Sequence, residues 1–302
     1  VVTMSNQIAR YVGIGIPVLF GSALLYLKSK TPNLYRDLGY MYLGLRLKRD
    51  SAALYSATRW SLHDFFKQTC KKYPGKEAIR FIGNDGSTRS MTYAELDILS
   101  NQVANWGRKL GLSAGDVVGI VLKNCLEWPA IFLGLAKIGV VSALINTNLS
   151  GQPLRHSLIT TGANVFIVGH GNISLTSPLR TEDTPELYEG RWFSVGKGEF
   201  ADYSPLMDEV KEFPTHLIGG GVPTRSPHDT LAYIYTSGTT GLPKASIIKN
   251  SRIYGAGWAF CNFFGIKPTD RMYTALPLYH SSALLIGLGS TIYSGCTFII
   301  RE

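Results

Sequence analysis

The sequence predicts an α/β fold made of doubly wound, largely parallel sheets with flanking helices. Three observations lead to this prediction. From residue 61 onward, short apolar runs rich in β-branched residues alternate with helical patterns, which is typical of βαβ units. Capping residues and glycines mark where the helices begin and end. The hydrophobic content of 45% in 302 residues is enough for a sizeable core.

The elements between residues 61 and 168 alternate regularly. Ser61 with Asp64 predicts a capped first turn, and Thr92 with Glu95 forms a capping box. A turn over residues 84–86 joins the first two strands. The predicted helices cover residues 61–73, 93–110, 126–138 and 152–160, and the predicted strands cover residues 78–82, 89–91, 117–122, 140–144 and 165–168.

The second half of the chain is less regular at first. Residues 172–227 are rich in Gly, Pro, Ser and Thr, and we interpret them as irregular surface with short elements and as a candidate connection between two sheets. Asn250 is a candidate cap for a helix that ends at Phe264, and His280 falls at the start of a helix through Tyr293. The predicted strands that follow residue 227 cover residues 233–235, 245–248, 271–274 and 297–300.

The most informative stretch is YIYTSGTTGLPK, residues 233–244, which lies at the tip of a predicted hairpin. Gly238 and Gly241 allow positive φ and close backbone approach, so successive N–H groups can turn inward and bind an anion. Lys244 adds a point charge suited to phosphate oxygens. Hydroxyl groups supply further donors at Thr236, Ser237, Thr239 and Thr240. This chemistry suits a nucleotide polyphosphate.

The spacing of this stretch excludes two familiar phosphate motifs. A Walker loop needs Gly, four residues and then Gly-Lys-Ser/Thr, whereas a Rossmann fingerprint needs Gly-x-Gly-x-x-Gly at the start of a helix. The alternative to nucleotide binding is a polar, glycine-rich hairpin on which Lys244 is simply solvated. The length of the string favours nucleotide binding over that alternative.

The N-terminal part predicts a membrane anchor within residues 1–30. Residues 11–27 carry no charge, and Tyr11 and Tyr26 lie near the two ends, where their rings favour the membrane interface. The rival interpretations are a cleaved signal peptide and a buried helix. Basic residues are more frequent after the segment than before it, so we expect residues 61–302 to be cytosolic.

A basic linker is predicted over residues 31–60. The first sixty residues hold eight basic and two acidic residues, whereas the remainder is nearly neutral. Two interpretations of this linker stay open. It is either a basic amphipathic helix that lies on an anionic membrane leaflet or a solvated helix that packs on the body. No basic stripe runs through the body, so nucleic acid is not an expected partner. The four Cys residues lack the spacing of a metal site or a disulfide pair, and no metal site is predicted.

The motifs also resemble those of a known family. YIYTSGTTGLPKA followed by ALPLYHSSA is similar to the fatty acid transport proteins, the very-long-chain acyl-CoA synthetase branch of the adenylate-forming (AMP-binding) superfamily. Residues 146–149 and the N-terminal segment agree with this branch. The resemblance covers residues 60–302 and implies the N-terminal part of the large domain of an adenylate-forming enzyme.

This resemblance implies a two-step reaction on a long or very-long-chain fatty acid. ATP with magnesium would give an acyl-adenylate, and coenzyme A would then displace AMP. Tyr279 would border the acyl groove beside His280. The resemblance assigns phosphate binding to Tyr235, Thr236, Ser237, Gly238, Thr239, Thr240, Gly241 and Lys244, and it assigns catalysis to Thr239, Lys244 and His280.

The resemblance leads to further expectations. The superfamily's later motifs and its small C-terminal domain would follow Glu302, so we expect an incomplete site and little ligase activity in a fragment. The membrane would be that of the endoplasmic reticulum, the peroxisome or the cell surface. Two alternatives stay open: a non-catalytic fatty acid carrier or scaffold, and an adenylating ligase for another carboxylic acid.

Overall fold

The computed structural model describes residues 25–26, 28–56, 61–198, 200–219, 226–237 and 242–302. The chain divides into two compact units, residues 1–52 and 53–302. The predicted membrane segment, residues 11–27, lies outside the described residues except for Leu25 and Tyr26. Among the helices of the described ranges, none has both the length and the apolar character that crossing a bilayer requires.

A long helix, α1 (Pro32–Ser56), occupies the predicted basic linker. Leu34, Leu38, Met41 and Leu45 are exposed and recur at helical spacing, so they share one face. A helix is therefore present in this segment, but Tyr40 and Tyr42 are also exposed and lie off this face, so the helix is only weakly amphipathic. Whether the helix binds a membrane surface or packs on the body stays a prediction, as do the predicted domain boundaries.

The larger sheet has seven strands in the order β7-β6-β5-β3-β4-β8-β9. All neighbouring strands are parallel except the antiparallel hairpin of β8 and β9. The strands are β3 (Val117–Val121), β4 (Val141–Leu144), β5 (Val165–Gly169), β6 (Arg191–Val195), β7 (Ser204–Pro205), β8 (Thr230–Ser237) and β9 (Pro243–Lys249). This sheet confirms the predicted doubly wound α/β architecture.

The smaller sheet has four strands in the order β10-β11-β1-β2. β1 and β10 both pair in parallel with β11, and β2 pairs antiparallel with β1. The strands are β1 (Glu77–Ile82), β2 (Thr88–Thr92), β10 (Arg271–Thr274) and β11 (Thr297–Arg301). β1 lies near the start of the sequence of the body and β11 lies at its end, so the pairing of these two strands brings distant parts of the chain into one sheet.

Helices flank these sheets. They are α2 (Leu62–Lys72), α3 (Tyr93–Lys109), α4 (Trp128–Lys137), α5 (Gly151–Thr160), α6 (Ile173–Thr176), α7 (Pro185–Tyr188), α8 (Leu206–Lys211), α9 (Asn250–Phe264) and α10 (Gly289–Ser294), with a π-helix over Ser282–Leu288. Val165 and Ile167 of β5 join one apolar core, whereas Phe166 and Val168 join the core on the other face. The central strands are therefore buried on both faces, as parallel sheets require.

Both predicted capping motifs are present. The Asp64 carboxylate accepts from the Ser61 backbone N–H at 2.8 Å at the start of α2. The Glu95 carboxylate accepts from the Thr92 N–H at 2.7 Å, and Thr92 Oγ1 accepts from the Glu95 N–H at 3.2 Å at the start of α3. These bonds satisfy backbone N–H groups that would otherwise lack partners in the first turn.

Residues 172–227 contain the short elements that were expected, but the interpretation of this segment as a connection between two sheets is wrong, because the strands before and after it belong to the same sheet. The segment contributes β6 and β7 to the larger sheet, together with α8. Trp192, Phe193 and Val195 of β6 are buried. A strand covered on both faces shows no alternation of apolar and polar residues, so the period-two signal is missing from this short run.

One finer expectation also needs correction. Asn250 does not cap α9 but is its first residue, and its Oδ1 accepts from the Leu62 backbone N–H at 3.2 Å. His280 lies at the start of a helical segment, as expected: its N–H donates to the Pro277 carbonyl at 2.9 Å, and its carbonyl accepts from the Leu284 N–H at 3.0 Å. The segment is helical from Ser281, includes a π-helix over Ser282–Leu288 and continues as α10.

Candidate active site

The carboxyl ends of strands from both sheets converge on one pocket of about 230 Å³. In parallel α/β sheets, ligands bind outside the carboxyl ends of the strands. The pocket is lined by residues that follow β1, β3, β4 and β10 and by the end of β11: Asn84, Lys123, Asn124, Thr147, Asn148, Ala275, Pro277, Tyr279, Arg301 and Glu302. This convergence makes the pocket the leading candidate for a binding site.

Tyr279 reaches this pocket from the LPLYHSS stretch. Its side chain is 4% exposed, and its ring centroid lies 4.9 Å from that of His280, which is exposed. The π-helix that follows is a rare form that occurs often at functional sites. The structure thus brings the two predicted groove residues together, one buried against the pocket and one facing outward.

The predicted phosphate hairpin begins at the same edge. Leu144 at the end of β4 pairs with Ile234 of β8, so the residues that follow each of them lie side by side. Thr147 and Asn148, which follow β4, line the pocket. The hairpin therefore leaves the sheet beside one wall of the pocket.

The described part of the hairpin is well paired. Thr236 pairs with Lys244 and Ser237 with Pro243, and Thr236 Oγ1 donates to the Lys244 carbonyl at 3.5 Å. Thr236 and Lys244 are exposed, as phosphate-binding groups at a loop would be. The predicted site residues Gly238, Thr239, Thr240 and Gly241 lie outside the described residues.

Tyr235 differs from its neighbours in the predicted phosphate set. Its side chain is 8% exposed and belongs to the core on one face of the larger sheet. Burial raises the pKa of its phenol above the ordinary value. In the described structure Tyr235 therefore packs beneath the hairpin and does not face the solvent with Thr236.

Of the residues that line the pocket, sequence reasoning predicted only Tyr279 as a site residue, and Asn124 is among those that it missed. Asn124 follows β3 and is 7% exposed. Its amide nitrogen donates to the carbonyls of Arg301 at 2.9 Å and Leu276 at 3.3 Å, and its Oδ1 accepts from the Leu278 N–H at 2.8 Å. The sequence position of Asn124 could have indicated a role in the site, because it is a polar residue just beyond the carboxyl end of a buried strand.

A second, larger cavity of about 1080 Å³ lies at the carboxyl ends of β3, β5 and β6. Lys123, His170 and Lys197 line it, together with Arg89 and Glu127. Arg89 and Glu127 form an ion pair at 3.1 Å. In the ranges that the structure covers, no group of three His, Cys, Asp or Glu side chains is arranged to hold a metal ion.

Comparison with protein families gives a match to the AMP-binding enzyme model over residues 66–302. Long-chain fatty acid transport protein 1 of Bos taurus is 36% identical over 260 residues, which are 85% of this chain and 39% of that protein. The medium/long-chain-fatty-acid–CoA ligase FadD6 of Mycobacterium tuberculosis is 28% identical, with 80% of this chain covered and 38% of that protein. The chain spans about two fifths of the length of these relatives.

Solved structures share the fold. The anthranilate CoA ligase AuaEII in complex with anthranoyl-AMP superimposes with a TM-score of 0.74 at 23% identity, covering 82% of this chain and 46% of that one. The N-terminal domain of FACL13 from Mycobacterium tuberculosis gives a TM-score of 0.66 at 24% identity, covering 80% of this chain and 57% of that one. The described body therefore has the α/β fold of the N-terminal domain of adenylate-forming enzymes.

Proposed function

The chain belongs to the AMP-binding enzyme family, on the branch of the long-chain fatty acid transport proteins, and from this membership we propose that it takes part in the ATP-dependent ligation of a long or very-long-chain fatty acid to coenzyme A. The observation that carries the proposal is that the hairpin with the phosphate-binding sequence leaves the larger sheet beside the pocket that Tyr279 lines. The carboxyl ends of strands from both sheets meet at this pocket.

The hairpin supplies the phosphate site in this proposal. The backbone N–H groups around Gly238 and Gly241 bind the triphosphate oxygens, and hydroxyl groups add donors. Lys244, which is exposed, places its ammonium on the phosphates. The hydroxyl donors are Thr236, Ser237, Thr239 and Thr240. Tyr235 supports the hairpin from the core and does not bind phosphate directly.

The first step joins two anions, so it depends on charge neutralisation and positioning. A carboxylate oxygen of the fatty acid attacks the α-phosphorus of ATP, and the bond to the bridging oxygen breaks to release pyrophosphate. Lys244 and the Thr239 hydroxyl offset the negative charge that develops. His280 orients the carboxylate, and the Tyr279 ring borders the acyl chain.

The second step transfers the acyl group. The sulfur of coenzyme A, having lost its proton to water, attacks the acyl carbon, and AMP leaves with the bonding electron pair. Magnesium would accompany ATP as its phosphate complex. Residues 11–27 would keep the enzyme at a membrane, where its lipid substrate is concentrated.

The proposal is tested on the protein at its full natural length. Fatty-acid-dependent release of pyrophosphate from ATP is measured for the wild type and for Lys244→Ala combined with Thr239→Ala. Lost contacts to a charged phosphate should weaken ATP binding by about 10- to 100-fold. Lys249→Ala is the matched control, because Lys249 is exposed at the far end of the same strand.

The result also separates the alternatives. No release by the wild type with oleate or a longer acid would overturn the proposal and favour a non-catalytic carrier or scaffold. Release only with a short or aromatic acid would indicate a ligase for another carboxylic acid. An unchanged rate in the double variant would show that the hairpin does not bind the nucleotide.

A further inference from the structure

Asn124 connects three parts of the chain that are far apart in sequence. It follows β3 in the larger sheet, it bonds the carbonyl of Arg301 at the end of β11 in the smaller sheet, and it bonds the backbone of Leu276 and Leu278. Its side-chain amide uses both its donor group and its acceptor. One buried side chain thus ties together the carboxyl edges of the two sheets.

The segment that Asn124 holds carries the LPLYHSS residues. Leu278 is fully buried, and its N–H has Asn124 Oδ1 as its acceptor at 2.8 Å. The other bonds are local in sequence: the Leu276 N–H donates to Thr274 Oγ1 at the end of β10, the His280 N–H donates to the Pro277 carbonyl, and the His280 carbonyl accepts from the Leu284 N–H. These local bonds shape the turn, whereas the Asn124 amide fixes the turn relative to β3 and β11.

We infer that Asn124 is a positioning residue for acyl activation: its amide fixes residues 275–280, so that Tyr279 lies at the wall of the 230 Å³ pocket and His280 follows directly after it. This inference rests on the proposed function. A reacting carboxylate must be held within a fraction of an ångström, and a misplacement of about 1 Å can lower the rate about 100-fold. Asn124 acts through the residues that it holds.

Only an amide fits this role. An aspartate would keep an oxygen for the Leu278 N–H but would face the carbonyls of Leu276 and Arg301 with a negative charge. An alanine would leave the buried Leu278 N–H without a partner. Asn124→Asp therefore removes only the donor half of the clamp, whereas Asn124→Ala removes both halves, and the two can be compared with each other.

The test uses Asn124→Ala and Asn124→Asp in the protein at its full natural length, with Asn164→Ala as the control. Asn164 is the same residue type, has an exposed side chain and does not line the pocket. Steady-state release of pyrophosphate gives KM and kcat for the fatty acid and for ATP. Hydrogen exchange at residues 275–281 reports the clamp directly and does not depend on activity.

We expect kcat/KM for the fatty acid to fall about 10- to 100-fold in Asn124→Ala, with KM for ATP unchanged and Asn164→Ala like the wild type. Exchange of the Leu278 amide should be about tenfold faster in Asn124→Ala than in the wild type, and Asn124→Asp, which keeps the acceptor, should exchange more slowly than Asn124→Ala. A merely structural role would lower the rate only in proportion to the folded fraction, with kcat/KM per folded molecule unchanged, and that result would overturn the inference. A wild type that releases no pyrophosphate would overturn the proposed function itself.

Discussion

The Nζ atom of Lys137 lies 2.6 Å from Oδ1 of Asp97, although the Lys137 side chain is completely buried. Nζ also donates to Oδ1 of Asn101 at 2.6 Å. Burial lowers the pKa of Lys137, and the Asp97 carboxylate acts in the opposite direction. The buried ammonium group of Lys137, at the end of α4, is therefore stabilised by Asp97 and Asn101 of α3.

Replacing Asp97 by alanine should lower the free energy of unfolding by about 3 kcal/mol, because a buried ammonium group loses its counter-ion. Replacing Lys137 by methionine should change it by less than about 1 kcal/mol, since a buried ion pair can give way to apolar packing. Urea unfolding followed by circular dichroism measures both values. Glu182→Ala, at an exposed carboxylate, is the control. An Asp97→Ala variant as stable as the control would contradict this account.

His63 makes stability depend on pH. Its side chain is 8% exposed, and its Nδ1 has no hydrogen-bond partner within the described structure. Burial, together with the nearby charge of Lys137, lowers the pKa of His63 from 6.5 to about 4. Asp64 raises this pKa, Lys67 lowers it and Asp97 raises it, and each of these three effects is smaller than that of burial or of Lys137. The imidazole is therefore neutral in the folded protein at pH 5 and charged in the unfolded chain.

Between pH 4 and pH 6.5 the unfolded chain binds a proton at His63 that the folded protein does not bind. The free energy of unfolding should therefore rise with pH across this range and fall again when the pH is lowered. At pH 4.5 the loss from His63 is about 2.5 kcal/mol relative to pH 7. His63→Gln should remove this part of the pH dependence, and His216→Gln, at an exposed histidine, should retain it. Equal pH profiles for the wild type and His63→Gln would refute the assignment.

The sequence predicted the elements whose signals are local. The capping boxes of Ser61 and Thr92 each lie within four residues, and the structure confirms both. The β8–β9 hairpin was predicted for the same reason, because its two strands are adjacent in the chain. β6 was missed because burial on both faces removes the alternation that identifies a strand.

The candidate site was predictable only in part. Tyr279 and His280 stand out within one short string, but their relation to a pocket depends on strands from both sheets. The clamp at Asn124 was out of reach, because its partners Leu278 and Arg301 are 154 and 177 residues away. Contacts between residues so far apart in sequence depend on the order of the strands in the sheets. The sequence pattern predicted only the fold class and not that strand order.

Gly257 of α9 packs directly on Gly289 at the start of α10. A Cβ atom at residue 257 would lie 2.4 Å from the Gly289 carbonyl oxygen and 3.0 Å from the Ser290 nitrogen. Both of these atoms belong to backbone, so neither can move aside as a flexible side chain could. The close approach of the two helices therefore requires glycine at this position.

Gly257→Ala should lower the free energy of unfolding by about 2 kcal/mol, because the added methyl group must push the two helices apart. Gly255→Ala is the matched control: it lies in the same helix, and a Cβ atom there would meet nothing within 4 Å. That control should be unchanged or more stable by up to about 1 kcal/mol, since alanine favours the helix. Urea midpoints of the two variants decide the question. If Gly257→Ala were as stable as Gly255→Ala, the helices would not be in backbone contact.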